Sequence, residues 1–192
     1  MTVRQNQIVV RTMRPFEIGK AAVASLWKSG FMGDTFVRGR EQFQKYQRSF
    51  IGDMAKLAVK GWLIENGADV VDWDDVRTSW RSQRKQFDLS VNGHSIEVRS
   101  SISQYASIRD TLHNESIIHP CNVSVKEITV QVFFKDFSCD EVWLFGWTLQ
   151  NDLENDALRS PRRIGPRLVD FYLMPFDRRE AHPIHGLIRH LS

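Results

Sequence analysis

The sequence predicts an α/β domain of the α+β kind, with a sheet flanked by helices, and three observations predict it. Residues 41–65 carry Phe43, Tyr46, Phe50, Met54, Leu57, Ala58 and Gly61 at three- and four-residue spacing, the period of an amphipathic helix. Residues 87–101 hold two short alternating runs around Asn92-Gly93. That dipeptide best tolerates the two positive φ angles of a type I′ turn, so the segment reads as a β-hairpin. Glu141-Val142-Trp143-Leu144-Phe145-Gly146-Trp147 is a nearly continuous apolar run, as expected of a strand buried on both faces.

The other elements follow in order. Ile8-Val9-Val10 is an apolar run and residues 19–28 read as a short helix, with nothing in residues 1–39 that speaks of function. Gly67 ends the long helix as a C′ glycine, and residues 68–73 make a short strand. Residues 74–85 then form a loop in which Arg77, Arg81, Arg84 and Lys85 surround Trp80. Basic groups beside an aromatic suit phosphate contact with base or sugar stacking; Trp80 tucked into the core is the equal alternative. Past the hairpin, residues 103–113 read as a helix, and Ile128, Val130, Val132 and Phe134 alternate as a strand. Thr148 caps a further helix reaching about Leu158. Residues 159–167 form a proline-stiffened basic loop with Arg159, Arg162, Arg163 and Arg167, and residues 168–176 a last strand.

Counting outward from the turn, Val91 meets His94, Ser90 meets Ser95, Leu89 meets Ile96, and Asp88 lies opposite Glu97. Glu97 and Arg99 share the face of Asp88, while Leu89, Ile96 and Val98 point to the other. Opposed β-carbons lie about 5 Å apart, near enough for both carboxylates to hold one divalent cation. The alternative is an ion pair with Arg99 on a solvated strand face. Asp53 flanks the apolar stripe of the long helix, placed either to reach toward the sheet or to pair with Lys56 one turn on.

Asp88, eight intervening residues and then Glu97-Val98-Arg99 resemble the PD-(D/E)XK nuclease superfamily. Gly52-Asp53-Met54-Ala55, followed by Trp62-Leu63 and Asn66-Gly67, is similar to that superfamily's first core helix. Two departures stand out: Arg99 occupies the place of the motif lysine, and Phe87 that of its proline. The resemblance covers roughly residues 41–147 and implies a restriction-endonuclease-like core, a central mixed β-sheet flanked by helices in the order α-β-β-β-α-β, with an additional C-terminal strand and helix. One domain over 1–192 follows, with residues 1–39 as an N-terminal extension, 40–147 as the nuclease-like core, and 148–192 as the C-terminal helix, basic loop and strand. It implies a metal-dependent DNA endonuclease in which Asp88 and Glu97 ligate Mg2+ (or Mn2+) and Asp53 is an outer ligand. A guanidinium stays protonated at working pH, so Arg99 acts as a fixed charge and never as a base. A catalytically silent nucleic-acid-binding protein of the same fold is the competing expectation.

Composition agrees with a DNA partner without demanding one. The 192-residue chain has 42% hydrophobic and 26% charged residues, a net charge of +3 and a pI near 9.0, so basic residues matter only where they cluster. Cys121 and Cys139 are too few for a disulfide scaffold, and with no signal peptide or apolar run of spanning length the expectation is a cytoplasmic protein with no membrane partner. A homodimer stays open. His182, His185 and His190 include an HxxH spacing, but Pro183 works against the single helical turn such a metal site needs.

Overall fold

The computed structural model describes residues 2–29, 39–76, 87–123, 126–164 and 167–192; of residues 39–42, 163, 164 and 167 it describes the backbone only. The basic loop residues Arg77, Trp80, Arg81, Arg84 and Lys85 lie outside the described residues, as do the side chains of Arg163 and Arg167.

The fold is mixed α/β, a mixed central sheet flanked by helices. The chain runs β1 (Val9–Thr12), α1 (Pro15–Ser29), α2 (Gly39–Glu65), β2 (Val70–Asp72), α3 (Trp73–Val76), β3 (Leu89–Val91) and β4 (His94–Ile102). It continues through α4 (Ile108–Asn114), β5 (Ser116–Pro120), β6 (Ile128–Phe134), β7 (Glu141–Leu149) and α5 (Gln150–Asp156). Last come β8 (Leu158–Ile164), β9 (Arg167–Pro175), β10 (His182–Pro183) and α6 (His185–Leu191). The main sheet has the order β1-β7-β6-β4-β3-β2, with β10 also paired to β7. Among its described pairings only β4 and β6 are parallel, joined by a crossover that contains α4. A second sheet has the order β5-β9-β8.

Burial explains why β6 and β7 read as they do. Both are covered on two sides: Ile128, Val130, Val132, Val142 and Leu144 join α1, α2 and α6 in one core, while Phe133, Trp143 and Phe145 join Ile117, Leu153, Met174 and Phe176 in another. Every residue of β6 is therefore buried, including Thr129 and Gln131 between the apolar positions.

Several sequence expectations are corrected. Of the expected N-terminal extension over 1–39, residues 9–29 belong to the fold, since β1 pairs with β7 and α1 packs along α2. The expected stripe of α2 is buried only in its later part: Met54 and Ala58 are in the core with Ala55, Val59, Trp62 and Leu63, Phe50 and Leu57 pack against it, and Phe43 is 52% exposed. Its C-terminus is as expected, with the Ala68 N–H donating to Leu63 O at 3.0 Å, the Gly67 N–H to Ile64 O at 2.9 Å, and Gly67 at φ 84°. Thr148 caps no helix; it is buried within β7, and α5 starts after Leu149 with no side-chain cap. The helix expected over 103–113 is confined to Ile108–Asn114, because Ser107 accepts the Asp110 N–H and sets its start. The basic loop at 159–167 is in its first part the strand β8, whose Pro161 is tolerated because β8 is an edge strand.

Candidate active site

The hairpin forms in the register the turn dictates, pairing Val91 with His94, Ser90 with Ser95 and Leu89 with Ile96. Asn92 at φ 49° and Gly93 at φ 88° supply the two left-handed positions of the turn. Asp88 stands one residue beyond this ladder. Its N–H donates to Ile96 O at 3.0 Å, and its Oδ2 accepts the Val98 N–H at 2.9 Å. The carboxylate is thus held against β4 at the residue that follows Glu97.

Alternation along β4 does the sorting. Ile96 and Val98 enter the core with Leu89, while Glu97 and Arg99 line a cavity of about 1050 Å3 together with Asp88. Asp88 and Glu97 are each 8% exposed, so the face is not a solvated one, while the ion pair expected between Glu97 and Arg99 is present. The same cavity is lined by Asp53 and Arg48 of α2, Lys28 and the exposed Trp27 of α1, and Asp74 of α3. The candidate residues Asp53, Asp88, Glu97 and Arg99 are therefore brought together, from one helix and one hairpin.

Asp53 is not paired with Lys56. Its Oδ2 accepts from Ser25 Oγ at 2.8 Å and its Oδ1 from the Lys28 ammonium. Lys28 also donates to Asp74 at 2.9 Å. Lys56, on the core side of α2, instead reaches Asp72 at 2.8 Å and Asp74, while Lys60 one turn further reaches Asp72 at 3.3 Å and Asp75 at 2.7 Å. These lysines and aspartates form a continuous lattice from α1 across α2 to β2 and α3. Burial acts against the Lys56 ammonium, but Asp72 and Asp74 outweigh it and hold its pKa above the usual lysine range. Burial likewise opposes ionisation of Asp74, yet Lys56 and Lys28 lower its pKa to about 2. At neutral pH Lys56 and Asp74 are thereby fixed in their charged forms.

Arg99 is held from behind. Its Nη2 lies 3.3 Å from Glu97 Oε1 and 3.0 Å from His119 Nε2, and its buried Nε has no partner among the described residues. His119 Nδ1 lies 2.9 Å from Pro120 O, so Nδ1 carries the proton and Nε2 accepts from the guanidinium. Burial, then the charge of Arg99, lowers the pKa of His119 to about 4. Fully buried within β5, a neutral histidine thereby positions Arg99.

Stability should register this histidine. An unfolded histidine titrates near 6.5, so between about pH 6.5 and 4 the unfolded chain binds a proton that the folded chain refuses. Stability must fall as pH is lowered through that window, by up to about 3 kcal/mol, and stay level in this respect on either side of it. The Asp74 contribution has the opposite origin, a depressed carboxylate, and is lost only as pH falls from about 4 through about 2. Urea unfolding at intervals from about pH 7.5 to 4 should show the decline in wild type, and His119→Gln should flatten it.

Among the described residues, the basic strand β8 reaches the side of Arg99 through Arg162. Arg162 lines a recess of about 320 Å3 with Arg99, Ser100 and Gln131, whereas the Arg159 guanidinium lies 5.3 Å from the Tyr172 ring centre. If duplex phosphate crosses this recess, Arg162→Ala should lower the slope of log affinity against log salt by about 0.9, one released counterion. Arg159→Ala should leave that slope unchanged, as fluorescence anisotropy over a salt series would show.

Oxygen donors of the Asp88 and Glu97 kind suit magnesium or manganese, which take one or two carboxylates and complete their shell with water and phosphate. The donor set fits such an ion at these two residues. Asp53 fits an outer place better, because Ser25 and Lys28 occupy both of its oxygens. Among the described residues, the one trio of histidine, cysteine or carboxylate ligand atoms within 4.8 Å of one another lies elsewhere, at His94, Glu127 and His190. Sequence reading missed Lys28, Ser25, Asp74 and His119, all of them brought in by elements whose packing no local pattern records. Comparison of the chain with protein-family models, with curated proteins and with solved structures returns no match.

Proposed function

We propose that this chain is a metal-dependent endonuclease that hydrolyses phosphodiester bonds in DNA, built on a restriction-endonuclease-like core. The observation that carries the reading is the gathering of Asp53, Asp88, Glu97 and Arg99 around one cavity. The order α2-β2-β3-β4-α4-β6, interrupted by the short α3 after β2 and by β5 after α4, with β4 and β6 parallel, supports it.

In this reading Asp88 and Glu97 hold a magnesium or manganese ion, which supplies charge stabilisation at the phosphate and a more acidic bound water. Arg99 fixes the scissile phosphate by its permanent charge, and His119 keeps the guanidinium aimed. Lys28 supplies the ammonium that the motif's lysine would otherwise bring, held at the cavity wall by Asp53 and Asp74. From there it can donate a proton to the leaving oxygen or stabilise its charge. Arg162 extends the path for the phosphate backbone.

The silent-binder reading draws on a different observation: Arg99 already lies against Glu97, and Lys28 against Asp53, so cations of the chain itself already oppose carboxylates of the site. Incubating supercoiled plasmid with the protein and magnesium, against an EDTA control, decides between them. Magnesium-dependent nicking supports the nuclease; retained DNA binding without nicking supports the binder.

A further inference from the structure

We infer that His94, Glu127 and His190 form a second metal site, of the zinc class and independent of the carboxylate cavity. One ligand atom from each lies within 4.8 Å of the other two. Tetrahedral zinc at about 2.1 Å from each donor holds its ligands about 3.4 Å apart, so closure needs side-chain shifts of about 1 Å. The donor set decides the metal: two imidazoles with one carboxylate favour zinc and its borderline neighbours over magnesium or calcium, which prefer oxygen alone. Three protein ligands leave a fourth position for water or a ligand from solvent.

The three residues stand on pinned backbone, as a preformed site requires. His94 follows the Asn92-Gly93 turn and pairs with Val91. Glu127 is held on both sides, its N–H donating to Ser95 Oγ at 3.3 Å and its carbonyl accepting the Gln150 N–H at 2.9 Å. His190 sits on α6 with its ring centre 4.8 Å from that of Trp147, whose Nε1 donates to Pro183 O at 3.1 Å. Asn92 Nδ2 donates to Leu191 O at 2.8 Å, which docks the end of α6 on the hairpin. His94 Nδ1 already lies 2.6 Å from Glu127 Oε1, and the His94 and His190 rings are 5.7 Å apart. A bound ion would clip α6 to the hairpin that carries Asp88 and Glu97.

The test uses the full chain stripped of metal and titrated calorimetrically with zinc chloride. One equivalent should bind in the presence of millimolar magnesium, and His94→Gln and His190→Gln should each weaken it at least about tenfold. His182→Gln is the control, since His182 also stacks on Trp147 but is no part of the trio. Wild type can be read without any variant: long-range proton–nitrogen spectra should move the His94 and His190 imidazole signals at one equivalent of zinc. Absence of stoichiometric binding overturns the site. So do loss of binding on adding magnesium, or shifts confined to His113, His119, His182 or His185.

Discussion

Asp88→Asn and Glu97→Gln should each reduce magnesium-dependent plasmid nicking by at least about 1000-fold, close to 4 kcal/mol of transition-state stabilisation. Each variant replaces a charged oxygen by a neutral one of nearly the same shape, and a cation held by two buried carboxylates loses half the charge that holds it. Folding should be preserved. The asparagine of the first variant keeps an oxygen for the Val98 N–H, which Asp88 accepts at 2.9 Å, and the glutamine of the second keeps one for Arg99. Alanine is the poorer choice at position 88, because the Val98 N–H would be left buried and unsatisfied at a cost of about 1–3 kcal/mol. Single-turnover nicking, with urea unfolding as the folding control, checks both variants. Undiminished nicking by either one, with its fold intact, would remove the proposed carboxylate site.

The hairpin was legible because its signal is local. Asn92-Gly93 sets the turn, the turn sets the register, and the register puts Asp88 and Glu97 together without reference to the rest of the chain. What one dipeptide could not show is that β3 begins only at Leu89, so that Asp88 stands outside the ladder and its side chain accepts the Val98 N–H. The apolar strand β7 was legible for a related reason, since burial on two faces erases alternation. Lys28 was not legible. Its partners Asp53 and Asp74 lie 25 and 46 residues away, and it reaches them because α1 packs on α2, a fact no helical period carries. The α2 period marked the face but not how far along the helix it is covered: Met54 and Ala58 are in the core, while Phe43, three turns earlier on the same face, is 52% exposed. Residues 159–164 read as a loop because Pro161 stiffens the chain; on β8 it is tolerated, since among the described residues β8 pairs with β9 alone.

Lys28→Met should slow cleavage by about 100-fold or more, while Arg99→Lys should slow it far less or raise it. In the proposed function the two residues divide what one lysine does in the motif that Glu97-Val98-Arg99 resembles. A general acid or a charge placed at the leaving oxygen contributes about 100- to 10,000-fold, and methionine keeps the length of Lys28 while removing the ammonium. Arg99→Lys keeps a cation beside Glu97 and gives the site a second ammonium, at the loss of the His119 contact and of bidentate phosphate binding. Because Lys28 also joins Asp53 to Asp74, Lys28→Met removes two ion pairs, so a structural effect must be separated from a chemical one. Magnesium affinity by calorimetry and the pH profile of single-turnover nicking make that separation. A positioning role lowers the rate equally at every pH, whereas loss of a proton donor removes the alkaline limb of the profile. Lys28→Arg should restore a fixed charge and part of the rate but not that limb. If Lys28→Met nicks plasmid as fast as wild type while Arg99→Lys is dead, the guanidinium alone carries the chemistry, and the assignment of the ammonium to α1 is wrong.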